Sequence, residues 1–595
     1  MLELWVTNSL NDSISSNNGP AYFLASRKLS QGEIKFLKKK NISRFYLQTL
    51  NSLQQEIFLK ELDLFWDQLV ADFGPDHQFW RNVVSSKMQE WEGAACYLAV
   101  SLFALTQMSL DATQQVLIIT NSVEEEAVWE DWAQKHGWII HKVHQRVPRR
   151  VRCCIQGIKN GVLFLKLCVK AIQGKIFSPP FPKGLSSVSE KGYLLIASLF
   201  YPWSFQGTAY QDPFFGDIHK YSPNQGEEFI YLGDMLSQPN SRIKRAIQEC
   251  RDVNVLILYS LLSWRDLISI LWKVLFQKVL VTRCCFLGCD FSSLIQWNSR
   301  RCSYHFNFHA EMFFEVIKKL CQRYPIKRFL YIFEGNVFER ACVQAVRQYS
   351  SAKVCGYNQG VIFESNLKLH LTNNEKLLKP EPDHIICTGS YAKDLFSRVG
   401  NRQCAQLTAG CALREIPSVI CEQSPLKLSG NILVALDGVY STVSVFDWLC
   451  EHSAILEDFN VCIRAHPNVS IEEIMSQSLQ TMPKNFTISC DSLETDLRRC
   501  WCVFYRHTSI GIQALLNGIP AIHLAVDVPL SGDPIEDLKS GKWVAHTPEE
   551  LRIAIEKIRC LTSEDNSTML NEAKNFLKGY FTPPTQEKLC DFVNI

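Results

Sequence analysis

Val503-Phe504-Tyr505-Arg506-His507-Thr508-Ser509-Ile510-Gly511-Ile512-Gln513-Ala514-Leu515-Leu516-Asn517-Gly518-Ile519-Pro520-Ala521-Ile522 reads as a buried strand, a polar turn, a short helix, a glycine stop and a second strand. The apolar runs at either end are short enough for strands, and the helix between them closes at Gly518 with Pro520 just beyond. Thr508 and Ser509 fall at the predicted N-cap and first turn, where hydroxyls and unpaired backbone N–H groups can receive an anion. Some forty residues upstream another strand ends in Arg464-Ala465-His466-Pro467. Strand–helix–strand repetition predicts a parallel α/β sheet. A His-Pro and a Thr-Ser helix start on its carboxyl edge predict a nucleotide-phosphate site.

The chain has 595 residues, which makes two or three domains the expectation. A hydrophobic content of 47% with 21% charged residues is that of a globular protein rather than a disordered or fibrous one. A net charge of +2 argues against a broad nucleic-acid surface, so no nucleic-acid partner is expected. The 23 cysteines follow no secretory signal, because Met1-Leu2-Glu3-Leu4-Trp5-Val6 enters a strand-like run directly. Free thiols in a reducing cytoplasm are therefore expected. The most apolar window, 253–281, is interrupted by Arg265, Asp266, Lys273 and Lys278 and reads as a strand over 253–262 and a helix capped at Ser263.

Three portions follow from the pattern. The first, 1–185, is an N-terminal α/β region with strands at 4–7, 115–120 and 138–143, helices at 31–40 and 53–73, and Ser122 opening an acidic helix start at Glu124, Glu125 and Glu126. The second, 186–380, holds strands at 193–197, 328–333 and 353–357. Its aromatic loop runs from Trp203 to Phe215, and a Pro-containing hinge lies at 376–384. The third, 381–595, holds strands near 384, 431, 461, 486, 500 and 521, a capping box at Thr547-Pro548-Glu549-Glu550, and a terminal segment, 582–595, expected to cross back as a helix. The expected architecture is α/β: two facing Rossmann-like domains with an extra N-terminal α/β region. Toward the end of the first portion lies a basic run, Lys142 to Arg152, with Arg146, Arg149, Arg150 and Arg152, then Lys166, Lys170 and Lys175 among apolar residues, closed by Ser178-Pro179-Pro180-Phe181-Pro182. Two readings stand for it: an amphipathic element on an anionic membrane surface, or a solvated helix face leading into a linker.

The candidate chemistry gathers at three predicted strand ends: Asp437-Gly438, His466-Pro467 and Thr508-Ser509. A histidine beside a phosphate leaving group stabilises its charge or protonates it, and a carboxylate can take the proton of an acceptor hydroxyl. Taken singly, each residue is as readily a turn cap or a satisfied loop histidine. Their recurrence at corresponding edges of successive strands points to a site.

In this order the three motifs resemble those of GT-B glycosyltransferases of bacterial surface polysaccharide synthesis, and are similar to bacterial sialyltransferases and Kdo-type transferases. Glu334-Gly335, Glu339-Arg340 and Gly356-Tyr357-Asn358-Gln359 also resemble the group called surface carbohydrate biosynthesis proteins, over residues 190–560. The resemblance implies transfer of a sugar from a nucleotide donor, CMP-linked among the candidates, to a surface polysaccharide or lipopolysaccharide acceptor, a glycan or lipid-linked glycan. On it, Asp437 is the general base, His466 contacts or protonates the phosphate, and Thr508 and Ser509 hold that phosphate with Gly438 and Pro467 alongside. Glu334 and Arg340 would stand on the acceptor side. Two positions depart from the pattern. Gln513 stands where many such enzymes place a ribose-binding Glu, and Leu436 precedes Asp437 where an acidic residue is common, so Glu334 or Glu339 is the alternative base.

Inversion without metal or other cofactor is the expected course, since no Asp-x-Asp stands in a suitable loop. Cys285, Cys289, Cys302, His305 and His309 have a spacing that faintly resembles a zinc site, but so many cysteines make chance clusters common. Rival functions on the same fold are a nucleotide-sugar 2-epimerase, a glycerol-phosphate transferase, and a non-catalytic assembly protein. Localisation is expected in the cytoplasm, with the inner face of the membrane as the peripheral partner.

Overall fold

The computed structural model describes residues 3–7, 22–25, 27–73, 95–108, 115–120, 122–142, 149–179, 192–221, 228–235, 241–250, 252–276, 283–302, 307–363, 366–377, 379–398, 406–413, 430–439 and 441–594. Three parallel sheets organise them. The middle sheet has seven strands in the spatial order Asn254–Ile257, Glu228–Met235, Tyr193–Phe200, Ile326–Ile332, Lys353–Asn358, His384–Cys387 and Gln406–Ala409. The C-terminal sheet has six, ordered Phe486–Ile488, Asn460–Arg464, Asn431–Ala435, Cys500–Tyr505, Ala521–Leu524 and Lys542–Ala545. Numbered within each domain, both begin 3-2-1-4-5-6, the doubly wound order of a Rossmann fold. Two Rossmann-like domains are thus fixed by strand order alone. The N-terminal sheet is different: Ser43–Arg44, Tyr22–Ala25, Gln115–Ile119, Glu3–Thr7 and Ile139–Lys142 lie side by side.

The change of sheet falls later than the composition shift near 380 suggested. His384–Cys387 pairs in parallel with Cys355–Asn358, and Gln406–Ala409 pairs with His384–Cys387, so both strands complete the middle sheet. Arg347 holds the intervening turn, bonding the Glu381 carbonyl and the Asp383 carboxylate at 2.8 Å each. The third sheet begins at Asn431. The 253–262 run also differs from its reading as one strand. Only Asn254–Ile257 is extended, and Leu258–Leu261 turns helical. That strand lies at the sheet edge with a partner on one side only, so no second ladder extends it. Ser263 then caps helix Trp264–Phe276 reciprocally, accepting from Asp266 N at 3.2 Å while Asp266 accepts from Ser263 N at 2.6 Å. The expected capping box at Thr547 and Glu550 is present.

One buried apolar cluster runs from the middle sheet through Leu577, Tyr580 and Phe592 to Val503 and Leu433 of the C-terminal sheet. The chain end crosses back onto the middle domain. Thr582 N bonds the Thr388 carbonyl at 2.9 Å, Lys588 Nζ bonds the Ala409 carbonyl at 2.6 Å, and Phe592 packs edge-on against Tyr357. The N-terminal region touches both other domains. Arg44 pairs with buried Asp447 at 3.1 Å, and His370 of the middle domain approaches Asp63 at 2.6 Å. Among the described residues Cys342, Cys355, Cys411, Cys450, Cys500 and Cys502 are buried thiols outside any disulfide. Helix Arg149–Phe177 carries the basic run. Of that run, residues 143–148 lie outside the described residues, as does 180–182 of the proline-rich segment.

Candidate functional site

In an open α/β sheet the ligand crevice opens where strand order reverses, between the first and fourth strands. In the C-terminal sheet these are Asn431–Ala435 and Cys500–Tyr505. The loops leaving them begin with Asp437-Gly438 and Arg506-His507. At this point Arg506, a residue the motif reading passed over, dominates the geometry. Its Nε donates to Asp437 Oδ2 at 2.7 Å, its Nη2 to Ser441 Oγ at 2.9 Å and its Nη1 to the Val526 carbonyl at 3.5 Å. The loops after three adjacent strands are thereby tied to one guanidinium. Both charged side chains are sealed from solvent, Arg506 at 2% and Asp437 at 1% exposure.

Asp437 is therefore an engaged carboxylate, held under Arg506. His466 comes close to it. The ring packs on the α-carbon of Gly438, where an added Cβ would stand 2.7 Å from His466 Nδ1. Nδ1 accepts from Asn468 N at 3.1 Å, which fixes the ring. Burial pushes the His466 imidazole below its usual range, against the opposing pull of Asp437, so it is uncharged at neutral pH. Pro467 is exposed beside it. The Asp-Gly and His-Pro motifs thus meet in space.

Thr508 and Ser509 follow one and two residues after His507. Thr508 is buried and its Oγ1 accepts from Ile510 N at 3.4 Å, while Ser509, the N-cap of Ile510–Leu516, makes no side-chain cap bond. Gln513 lies one turn on, half-buried. His507 is the second residue the motif reading missed. Burial and the neighbouring Arg506 charge push its imidazole down to about 3, so it stays neutral. It sits against Gly532, where a Cβ would overlap its ring, and its ring lies 6.0 Å from that of Phe363. Phe363 belongs to the loop following middle strand Lys353–Asn358. That contact brings the carboxyl edges of the two Rossmann sheets together.

The middle domain gathers its own cluster at the equivalent switch point, after Ile326–Ile332. Glu339, in the first turn of helix Val337–Tyr349, reaches back to accept from Glu334 N at 3.0 Å, Gly335 N at 2.9 Å and Asn336 Nδ2 at 2.8 Å. Glu334 is half-buried, and Gln359 Nε2 and Asn336 Nδ2 orient its two oxygens at 2.9 and 3.3 Å. The two motif groups, 334–340 and 356–359, thus form one network. Arg340 is buried, reaching the Lys368 carbonyl at 3.4 Å and Glu375 at 4.0 Å. The neighbouring aromatic loop is built on Asp212, which accepts from Tyr210 Oη, Ser198 Oγ and the N–H groups of Phe214 and Phe215.

Burial, helped by the adjacent Glu334 charge, raises the Glu339 carboxyl to about 8, against the pull of its N–H donors. The folded chain then binds a proton that the unfolded chain releases at the ordinary value of 4.5. Its contribution to stability is full below that value and is lost as pH rises to about 8. Glu339→Gln is expected to flatten this decline, and melting temperature against pH for both proteins reads it directly. An unchanged slope would show that Glu339 titrates normally.

Among the described residues no group of three or more His, Cys, Asp or Glu is placed to hold a metal ion. Cys285–Phe286 and Cys289–Asp290 form a tight hairpin, and His309 lies 3.0 Å from Asp234 instead. His305 falls outside the described residues.

No protein-family model matches this chain, and no curated protein matches it. Solved structures similar to it include MurG of Acinetobacter baumannii, at 11% identity over 68% of this chain and 99% of that one, with a TM-score of 0.35. Another is the OtsA apo structure, at 10% identity over 68% and 98% with a TM-score of 0.41. A third is a protein of Listeria monocytogenes provisionally assigned as a UDP-N-acetylglucosamine 2-epimerase, at 13% identity over 66% and 94% with a TM-score of 0.39. At that level of likeness the fold rests on the strand orders of the two sheets.

Proposed function

We propose that this chain is a GT-B-type glycosyltransferase that moves a sugar from a nucleotide-activated donor to the hydroxyl of a surface-glycan acceptor, with inversion and without a metal. The observation that carries the reading is the contact of Phe363 with His507, which sets the loop after middle strand Lys353–Asn358 against the switch point of the C-terminal sheet, while Gln359 of the same loop bonds Glu334 at the middle switch point. Such an arrangement offers one crevice for a nucleotide and an opposite one for an acceptor. On the donor side, the Asp437–Arg506 pair cancels its own charge and fixes the loops. That leaves His466, Ser509, Gln513 and the Thr508 backbone to meet phosphate and ribose. A neutral His466 can donate a hydrogen bond to a leaving phosphate, and a bound dianion would raise its pKa toward general-acid work. On the acceptor side Glu334 is the accessible carboxylate. Glu339, buried beneath it, sets the turn that carries it.

In this reading Asp437 positions the site through Arg506, and the proton of the acceptor hydroxyl goes to Glu334. Domain closure over the crevice would exclude water from the activated sugar. A CMP-linked donor and a lipopolysaccharide or lipid-linked acceptor are the candidates that the motif resemblance offers.

Thermal unfolding in the presence of CMP, CDP, UDP and GDP tests the donor site. A nucleotide at a hundred times its dissociation constant stabilises the fold by about 2.7 kcal/mol. One of the four is expected to raise the melting temperature clearly above the others. No response to any would overturn the reading. Incubation of the matching nucleotide sugar without acceptor separates the rival epimerase, which would interconvert it unaided.

A further inference from the structure

Helix Arg149–Phe177 carries an outward apolar stripe that the transfer reading does not use. Ile158, Val162, Leu165, Val169, Ile172 and Ile176 recur at alternating spacings of four and three, and all are exposed. Leu165 is 64% exposed, while Leu167 and Ala171 on the opposite face are buried in the middle-domain core. A surface helix ordinarily shows the reverse pattern. At 1.5 Å per residue the stripe is about 27 Å long.

A neighbouring helix continues the apolar surface. Gly174 packs on the Tyr259 ring and Lys175 Nζ bonds the Tyr259 carbonyl at 3.0 Å, which seats the long helix beside the segment leading into Trp264–Phe276. That second helix exposes Trp264, Ile268, Trp272 and Phe276, with Trp272 also 64% exposed and its ring tilted against that of Phe276 at 4.1 Å. Leu267, Ile270 and Val274 face inward. So much contiguous apolar area exceeds what scattered surface residues explain.

We infer that these two helices form a peripheral docking face for an anionic lipid bilayer. Charge decides the occupant. Helix Arg149–Phe177 has seven Lys and Arg and no Asp or Glu, in a chain of net charge +2. Lys166 and Lys170 are exposed directly beside Leu165 and Val169. A second copy of the chain could match the 4-3 spacing as a coiled coil, but it would bring the exposed Lys166 and Lys170 of one copy toward those of the other. Anionic headgroups reverse that penalty, and the tryptophans suit the headgroup boundary. No described helix is long and apolar enough to cross a membrane, so the helices lie on the surface. This inference is independent of which reaction the crevice performs.

The test is co-sedimentation of the full chain with vesicles of phosphatidylcholine alone or mixed with phosphatidylglycerol, at low and high salt. Binding is expected to the anionic vesicles and to fall with salt. Lys166→Gln with Lys170→Gln is expected to lower the partition coefficient roughly tenfold or more. Leu165→Asp with Trp272→Asp is expected to abolish it while the circular dichroism spectrum and melting temperature hold. Failure of the wild-type chain to pellet with anionic vesicles would overturn the inference. So would a doubled mass without lipid that Leu165→Asp returns to monomer, which would give the surface to a second copy.

Discussion

Replacing Arg506 by Met is expected to cost about 3–5 kcal/mol of stability, because it leaves the Asp437 carboxylate buried without a partner. Both groups are almost wholly excluded from water, and the pair is joined at 2.7 Å. Removing either charge alone exposes the desolvation cost of the other. Asp437→Leu should therefore be as damaging as Arg506→Met. The double variant should recover much of the loss, since apolar groups of similar volume often replace a buried pair without penalty. Urea denaturation of the four proteins gives the coupling energy. A fifth protein, Asp437→Asn, separates two roles for Asp437. As a positioning group, its loss abolishes nucleotide stabilisation along with turnover, because the loops at Ser441 and Val526 lose their common anchor. Were Asp437 a proton acceptor, a folded Asp437→Asn enzyme would bind nucleotide normally and fail only in turnover.

The second large effect is expected at His466. His466→Ala should lower kcat by a factor on the order of 10²–10⁴, the usual contribution of a positioned proton donor. Nucleotide affinity should change only a few-fold. The ring lies half-buried against Gly438 and makes one hydrogen bond, through Nδ1, so its removal leaves the fold intact. The pH profile adds a signature that a structural role would not give. A general acid must be protonated, so kcat should fall on the alkaline side, and that limb should vanish in His466→Ala. Retained turnover would remove His466 from the chemistry. His507 would then be next to test, since it lies at the inter-domain contact with Phe363.

Much of the fold was legible without coordinates because its strands are doubly covered. Runs such as 193–197, 432–436 and 500–505 are continuously apolar, as strands buried on both faces must be. Gly518, Pro520 and the Thr547 capping box mark helix ends by local backbone chemistry that needs no partner. What local pattern cannot supply is which strand pairs with which. The composition shift near 380 is real, yet His384–Cys387 belongs to the middle sheet because its ladder partner is Cys355–Asn358, some thirty residues earlier. Likewise the outward stripe of helix Arg149–Phe177 has the same periodicity as an inward one. Only the neighbouring core shows which face is buried.

The sequence by itself determined that this is an α/β chain with polar turns at strand ends, and it named Asp437, His466, Thr508, Ser509, Glu334 and Glu339. Asp437, His466 and the Thr508-Ser509 pair were readable because they follow apolar runs where a strand must stop, whereas Glu334 and Glu339 stood out through a motif resemblance. Tertiary structure decided what they do to one another. Asp437 and Arg506 lie 69 positions apart, and nothing local couples them. They meet because strands Asn431–Ala435 and Cys500–Tyr505 are neighbours at the point where the sheet reverses its order. Once both are buried there, low dielectric makes the pair obligatory and takes the carboxylate out of solvent.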